Sequence, residues 1–157
     1  MPFISFAQEV TCDNSVYLTT YSASGSNLYR MQVTAAKGIH DLEEIFVDNR
    51  LYRIGCIGYS VVDKMIYGLE FNTNELLRIN AFGEITSLGV PTGLNTSLEY
   101  YAGNVFPNGT ELFVIGRDKD TQLDVGYYVI DVFNQQATTL EFEESGNVIL
   151  QDMAINP

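Results

Sequence analysis

The chain has 157 residues, 46% of them hydrophobic, a size and composition that allow one folded domain and exclude a disordered chain. Its 20 acidic and 8 basic residues give a formal net charge of −12, which opposes binding to nucleic-acid phosphates and to anionic lipid. No run reaches the roughly 18 apolar residues that a membrane helix needs, so we expect neither a nucleic-acid partner nor membrane insertion.

The chain begins with a short apolar tract. Residues 2–8 read Pro-Phe-Ile-Ser-Phe-Ala-Gln and are followed by Glu9. The tract resembles the end of a bacterial secretory signal peptide, of a type common in exported proteins of Bacteroidota, without the basic leader of a whole signal. We expect residues 1–8 to be the remnant of such a signal and residues 9–157 to be the mature domain. The alternative is that residues 3–6 form an inner or edge strand of the first repeat unit.

The first unit covers about residues 10–47 and has no clear inner strand. Its predicted strands are 16–21, 27–33 and 42–47. The small polar loop 22–26 joins the first two strands. His40 is the only histidine in the chain, and a histidine without a neighbouring acid and nucleophile is more typical of a loop than of a catalytic site.

The second unit, about residues 54–90, is the clearest. Short runs of apolar and β-branched residues alternate with Asn- and Gly-containing turns, a pattern typical of antiparallel hairpins and not of helices. Four strands are predicted: 54–59, 65–71, 76–80 and 85–90. One such sheet cannot bury both of its faces, so it requires neighbours of the same kind.

The third unit, about residues 100–143, contains Asn108-Gly109, which predicts a tight turn between two strands. Residues 147–157 are predicted to begin a fourth unit. The loop 116–124 carries three aspartates, whose carboxylates are the hard oxygen ligands that calcium prefers: Asp118, Asp120 and Asp124. The loop lacks the central glycine and terminal glutamate of a helix-loop-helix calcium site, and a solvated turn explains the charges equally well. We therefore expect no cofactor, and the alternative is a calcium ion bound by these three aspartates.

Equivalent strands recur at a nearly constant step along the chain. In the second strand of each unit, Tyr67 lies 50 residues after Tyr17, and Phe113 lies 46 residues after Tyr67. In the third strand, Leu77 lies 48 residues after Tyr29. Strand units repeating every 40 to 50 residues are typical of β-propeller blades. We therefore predict an all-β, β-propeller-like fold of about three four-stranded antiparallel blades plus the first strand of a fourth. The alternative is a β-sandwich.

The two cysteines, Cys12 and Cys56, are 44 residues apart, close to one repeat. They could therefore face each other across neighbouring units, and a disulfide would suit an exported protein. The alternative is that Cys56, in an apolar strand, is a buried free thiol.

Acidic residues at strand ends are the candidates for catalysis: Asp63, Glu99, Asp131 and Asp152. Aspartates in turns commonly accept hydrogen bonds from backbone amides, which explains Asp63 and Asp152 without catalysis. A single histidine leaves no Ser-His-Asp or Cys-His arrangement, and there is no glycine-rich phosphate loop. A carboxylate pair for glycoside hydrolysis depends on separations that the sequence does not contain.

The residues that carry a family resemblance lie mostly in turns and strands. They include Gly58-Tyr59, Ile66-Tyr67-Gly68, residues 76–83, Pro107-Asn108-Gly109 and Val129-Ile130-Asp131. The chain resembles a family of secreted bacterial surface proteins of unknown function with predicted β-propeller repeats. The resemblance covers most of residues 12–157 and implies a fold and a secreted or cell-surface location, but no reaction.

The resemblance favours a non-catalytic binding or scaffolding module of a surface or adhesion protein, with a protein or glycan ligand bound by loops on one propeller face. The alternative is a carbohydrate-active or metal-dependent enzyme that uses loop carboxylates. Tyrosines could contact a ligand, although most are better explained as packing between units: Tyr17, Tyr59, Tyr67, Tyr100 and Tyr101. Because propellers have at least four blades, we expect the ring to be completed by further blades of the same polypeptide or by a homodimer.

Overall fold

A computed structural model describes residues 9–10, 15–22, 25–33, 40–45 and 52–141. These residues form eleven strands: β1 (Ser15–Ser22), β2 (Gly25–Val33), β3 (His40–Ile45), β4 (Ile54–Tyr59), β5 (Ile66–Glu70), β6 (Leu76–Ile79), β7 (Ile85–Gly89), β8 (Leu98–Val105), β9 (Glu111–Asp118), β10 (Asp124–Asp131) and β11 (Gln136–Leu140). The described part of the chain contains no helix long and apolar enough to cross a membrane.

The strands form three antiparallel sheets in which sequence neighbours pair. The first sheet has the order β1-β2-β3, the second β4-β5-β6-β7 and the third β8-β9-β10-β11. Each predicted strand of the second unit agrees with the structure to within one residue at either end. The all-β prediction is confirmed, and the second and third sheets each contain four strands. The predicted fourth unit at 147–157 lies outside the described residues, as do residues 1–8.

The repeat extends to the pairing register. Tyr17 of β1 faces Arg30 of β2, Tyr67 of β5 faces Arg78 of β6, and Phe113 of β9 faces Val129 of β10. Because a slip of one residue moves every side chain to the opposite face of a sheet, this agreement places equivalent residues on equivalent faces. The predicted repeat is therefore a structural repeat.

One detail of the first unit was predicted wrongly. His40 was expected in a loop, but it is the first residue of β3 and pairs with Val33. The reason is that β2 continues to Val33, whose backbone gives β3 a partner two residues before the predicted start. The last two residues of the predicted outer strand, 46–47, lie outside the described residues.

The second and third sheets meet along β4 and β8. Gly55 lies beside Tyr100 and Gly58 beside Val105, so the two strands run in the same direction. A Cβ atom at Gly58 would lie 2.2 Å from the backbone nitrogen of Val105, which leaves no room for a side chain. Cys56, between these glycines, has a φ of 54° at a register shift in the β4–β5 pairing. This bulge and the glycines allow the two backbones to approach each other closely.

Two hydrophobic clusters hold the sheets together. Between the second and third sheets, Tyr67 and Tyr100 are 1% and 0% exposed, and the Tyr100 ring packs edge-on against Tyr128. Between the first and second sheets, Leu28 and Ile66 are equally buried. The interpretation of Tyr67 and Tyr100 as packing residues is confirmed.

Candidate functional site

A groove of about 650 Å³ lies between the first sheet and the inner strands of the other two. Its walls are residues 16–19 of β1, 53–59 around β4, and 101–104 of β8, with Ile66 and Phe71. Arg53 is the only charged residue among these lining residues, and its guanidinium lies 5.0 Å from the centre of the Phe71 ring. The other described lining residues are mostly glycine, aliphatic and aromatic, with Thr19 and Asn104 as polar side chains, and none of them carries a carboxylate.

Cys56 lines the same groove. Its thiol is free, and the residue is only 4% exposed. Burial raises the pKa of this thiol well above its ordinary value, so it stays protonated and is a poor nucleophile. The predicted partner, Cys12, lies outside the described residues, and the disulfide stays a prediction.

Four turns lie together at one end of the second and third sheets. They are residues 60–65, 80–84, 106–110 and 132–135. In an antiparallel meander the first and third turns lie at the same end, and β4 and β8 run in the same direction, so all four turns share this end. The Ser60 hydroxyl also donates to the carbonyl oxygen of Gly109 at 2.6 Å, which links the inner turns of the two sheets. We call this surface the turn end.

Each turn is held by an aspartate or asparagine side chain. Asp63 accepts from the Met65 amide, and its second oxygen accepts from the Tyr67 hydroxyl at 2.7 Å. The same kind of contact occurs in the other three turns, where the accepting residue and the donating amides are Asn80 with Phe82 and Glu84, Asn108 with Thr110, and Asp131 with Phe133 and Asn134. These bonds fix the turn conformations, and the predicted turn role of Asp63 is confirmed.

Large apolar side chains project from three of these turns. Val61 is 51% exposed, Val62 56%, Phe82 59% and Phe133 43%. Phe133 also packs edge-on against the Tyr67 ring, with centroids 6.2 Å apart. The turn end therefore presents apolar groups on turns that their own side chains make rigid.

Three of the strand-end acids predicted as catalytic candidates, Asp63, Glu99 and Asp131, do not line the groove. Asp131 holds its turn, and hydrogen bonds from Asn134 and Phe133 keep the pKa of its carboxyl below the usual range. Glu99 lies within β8, opposite Arg117. Asp152 lies outside the described residues.

The three aspartates of the predicted calcium loop face different surroundings. Asp118 accepts from the Asp120 and Thr121 amides and from the Thr121 hydroxyl, and these bonds lower the pKa of its carboxyl. The Asp124 side chain is 0% exposed, and its carboxylate accepts from the Tyr101 hydroxyl at 2.7 Å. No group of three or more His, Cys, Asp or Glu side chains suited to a metal ion occurs among the described residues. Calcium stays a prediction.

Asp124 belongs to a cluster that the sequence did not predict. Arg117 lies 3.3 Å from the Asp124 carboxylate and stacks over the Tyr101 ring at 3.7 Å from its centre. Burial and the bond to Asp124 raise the pKa of Tyr101 to about 12. The sequence gives only one indication of this ion pair: Arg117 and Asp124 lie on either side of a predicted turn. The cluster ties β8 to β9 and β10.

Glu70 is a second polar residue that sequence reasoning missed. It is 3% exposed at the end of β5, and its carboxylate accepts from the amides of Arg53, Asn72 and Thr73. Burial by itself would raise the pKa of Glu70, but these hydrogen bonds outweigh it and hold the pKa below its ordinary value. Glu70 therefore fixes the turn at the opposite end of the second sheet.

Comparison with known proteins gives a family match and a distant structural similarity. The family model described as "Repeat of unknown function (DUF6923)" matches residues 17–157, which confirms the predicted relation to a repeat family without a known function. No curated protein matches the sequence. A similar solved structure is selenomethionine-substituted virginiamycin B lyase from Staphylococcus aureus, with 14% identity and a TM-score of 0.44. The match covers 80% of this chain and 41% of the lyase chain, and a similarity this weak carries no argument about this chain.

Proposed function

The chain belongs to the repeat family of unknown function (DUF6923), and we propose that it is a non-catalytic binding or scaffolding module that binds a ligand at the turn end. The observation that carries the proposal is the turn end itself, where rigid turns present Val61, Val62, Phe82 and Phe133 to solvent. Fixed turns lose little conformational entropy on binding, so their apolar contacts contribute more fully to affinity.

We propose that the sheets of this module are arranged as in a β-propeller. The support for this arrangement is the shared register of the three sheets and the parallel approach of β4 and β8, the inner strands of neighbouring units. In such an arrangement equivalent turns of successive blades lie on one face. Loops on that face would then act together on one ligand.

The groove supports a binding role over a catalytic one. A hydrolytic site would need carboxylates or other proton-transfer groups converging on one cavity. Here the described lining residues carry one charge, that of Arg53, and the Cys56 thiol has a raised pKa.

The ligand that best fits the turn end is a protein surface with an apolar centre and a basic rim. Asp63, Glu84, Glu111 and Asp131 lie in or beside these turns, and the whole chain carries a net charge of −12. Acidic groups of this kind favour basic partners. A glycan fits this surface less well, because its hydroxyl groups need hydrogen-bond acceptors. The candidate acceptors already accept hydrogen bonds from amides of their own turns: Asp63, Asn80, Asn108 and Asp131. A secreted or cell-surface location stays a prediction.

Selection from a displayed peptide library tests this proposal. Peptides enriched on the wild-type chain should combine aromatic or aliphatic residues with Lys or Arg. A Val62→Ser, Phe82→Ser variant should lose at least about tenfold in affinity for them, equivalent to about 1.4 kcal/mol. The matched control is Val90→Ser, Val125→Ser, which removes exposed apolar groups from the opposite end of the sheets, where Val125 is 56% exposed. The control should bind as the wild type does.

Three results would count against the proposal. Equal loss in both variants would mean that binding does not depend on the turn end. Failure to enrich any peptide would contradict the proposal that the ligand is a protein. Binding on a glycan array that Val62→Ser, Phe82→Ser abolishes would keep the site but replace the ligand class.

A further inference from the structure

The turn at residues 106–110 contains a dipeptide whose chemistry the proposed function does not use. Asn108-Gly109 is the only Asn-Gly pair in the sequence. In such a pair the backbone nitrogen of the glycine can attack the side-chain carbonyl carbon of the asparagine, because glycine has no Cβ atom to hinder the approach. An Asn-Gly pair is therefore the place in a chain where an asparagine side chain is most easily converted to a carboxylate.

This conversion needs only water as a second reactant. The Gly109 nitrogen bonds to Cγ of Asn108 and gives up its proton, and Nδ2 leaves as ammonia, so that a five-membered cyclic imide forms. Water then opens the imide at either of its two carbonyl groups. The product is aspartate, with the ordinary backbone, or isoaspartate, in which the backbone runs through the former side chain.

In the folded chain the groups that would react are held in other contacts. The Gly109 amide donates to the carbonyl oxygen of Phe106 at 2.8 Å. Oδ1 of Asn108 accepts from the Thr110 amide at 3.1 Å, and its Nδ2 donates to the Glu111 carboxylate at 2.6 Å. The attack on Cγ requires these bonds to break, so the closed turn opposes the reaction and an open turn permits it.

Gly109 also lies where the inner turns of the second and third sheets meet. Its carbonyl oxygen accepts from the Ser60 hydroxyl at 2.6 Å, and a Cβ atom at Gly109 would lie 2.7 Å from Cγ2 of Val61. Isoaspartate adds one atom to the backbone directly before this close contact. Aspartate places a second carboxylate where Asn108 now donates to Glu111. Both products therefore fit the turn less well than asparagine does.

We propose that Asn108 is a deamidation site that reacts when the turn at residues 106–110 opens, and that conversion to either product destabilises this turn. The turn end then has a limited chemical lifetime, which depends on how often the turn opens. The change is permanent because the ammonia is lost. The proposal does not depend on the ligand proposed for the turn end.

Peptide mapping of the full chain by mass spectrometry tests the role of the turn. The chain is incubated at mildly alkaline pH, folded in buffer or unfolded in urea. Deamidation of Asn108 should be at least about tenfold slower in the folded chain, since it requires local opening. Asn95, which is exposed and is followed by threonine, is the internal control and should react more slowly than Asn108 in urea.

The wild-type chain alone can contradict the proposal. Equal rates at Asn108 in buffer and in urea would mean that the turn does not protect it. No reaction at Asn108 in urea, or a rate no higher than that of Asn95, would overturn the assignment of the site.

A serine variant tests whether the contact between the two inner turns controls the reaction. Ser60→Ala removes the hydroxyl that donates to Gly109 and should raise the rate at Asn108 in the folded chain by about fivefold. The matched control, Ser87→Ala, removes an exposed hydroxyl from β7 and should leave the rate unchanged. An equal increase in both variants would contradict control by this contact. If Ser60→Ala does not fold, the wild-type comparison decides.

Hydrogen exchange at the Gly109 amide tests the effect of the products. Asn108→Asp should raise the exchange rate about threefold, because the new carboxylate repels that of Glu111. Asn95→Asp is the control, since the Asn95 side chain likewise accepts from an amide two residues further on, and it should match the wild type. The isoaspartate form, separated by chromatography, should exchange faster than Asn108→Asp. Wild-type exchange in both product forms would overturn the destabilisation.

Neither measurement involves a ligand. A chain that binds no peptide could still show slow deamidation of Asn108 in buffer and fast deamidation in urea. Conversely, a chain whose Asn108 is unprotected could still bind peptides at the turn end. The two proposals can therefore fail independently.

Discussion

The first and second sheets share a register but differ in what covers them. Tyr17 and Arg30 face each other as Tyr67 and Arg78 do. Nevertheless Val16 is 42% exposed, whereas the equivalent Ile66 of the second sheet is 1% exposed. Pairing within a sheet depends on neighbouring segments of sequence, but burial depends on the strands and sheets beside it. The side chains of the second and third sheets are buried because β4 and β8 approach each other closely.

The largest expected effect comes from blocking that approach. Gly58→Ala places a Cβ atom against the backbone of Val105, which cannot yield as a flexible side chain does. We expect a loss of about 4 kcal/mol in the free energy of unfolding, measured by urea denaturation. Gly55→Ala, in the same strand with its nearest contact at 3.3 Å, is the control and should cost less than about 1 kcal/mol. Equal costs would show that β4 and β8 are not closely packed.

A smaller difference in the free energy of unfolding is expected when the same leucine truncation is made in two different sheets. Leu112→Ala in β9 removes a side chain that is 0% exposed and should cost about 3 kcal/mol, whereas Leu18→Ala in β1 should cost about 1 kcal/mol. Chemical denaturation of both variants measures the difference. A cost for Leu18 equal to that for Leu112 would show that β1 is buried as fully as β9.

The smallest effect concerns a polar anchor of the second sheet. Glu70→Gln removes the charge that accepts the Arg53, Asn72 and Thr73 amides, and we expect a cost of about 2 kcal/mol at pH 7. The folded-state pKa of Glu70 lies below its ordinary value of 4.5, so its contribution is present above that pH and is lost as the pH falls through the folded-state pKa.

Denaturation of wild type and Glu70→Gln between pH 7 and pH 3 measures this dependence. The difference in unfolding free energy between them should shrink as the pH falls. Glu75→Gln, beside the same turn, is the control and should stay within about 0.5 kcal/mol of wild type, because the Glu75 carboxylate accepts from the Ser87 hydroxyl at the solvent-exposed surface. A constant difference across this range would contradict a buried, charged Glu70.

The sequence predicted local features well where neighbouring residues decide them. The four strands of the second unit and the turn role of Asp63 follow from apolar runs, turn formers and the short reach of an aspartate side chain. The sequence did not predict the contacts between residues that lie far apart in the chain. The three loop aspartates looked alike in sequence, yet Asp124 is buried against Tyr101 while Asp118 holds its own turn.

The sequence by itself determined that this protein is an all-β repeat with a negative charge, because strand patterning and turn chemistry are local and charge is a matter of composition. Only the tertiary structure decided which equivalent residues are buried, that Glu70 and Asp124 are anchored internally, and that Val61, Val62 and Phe82 lie at one end. These features depend on contacts between segments far apart in the chain. Such contacts arise only when the sheets pack and exclude water from one face while leaving the other exposed.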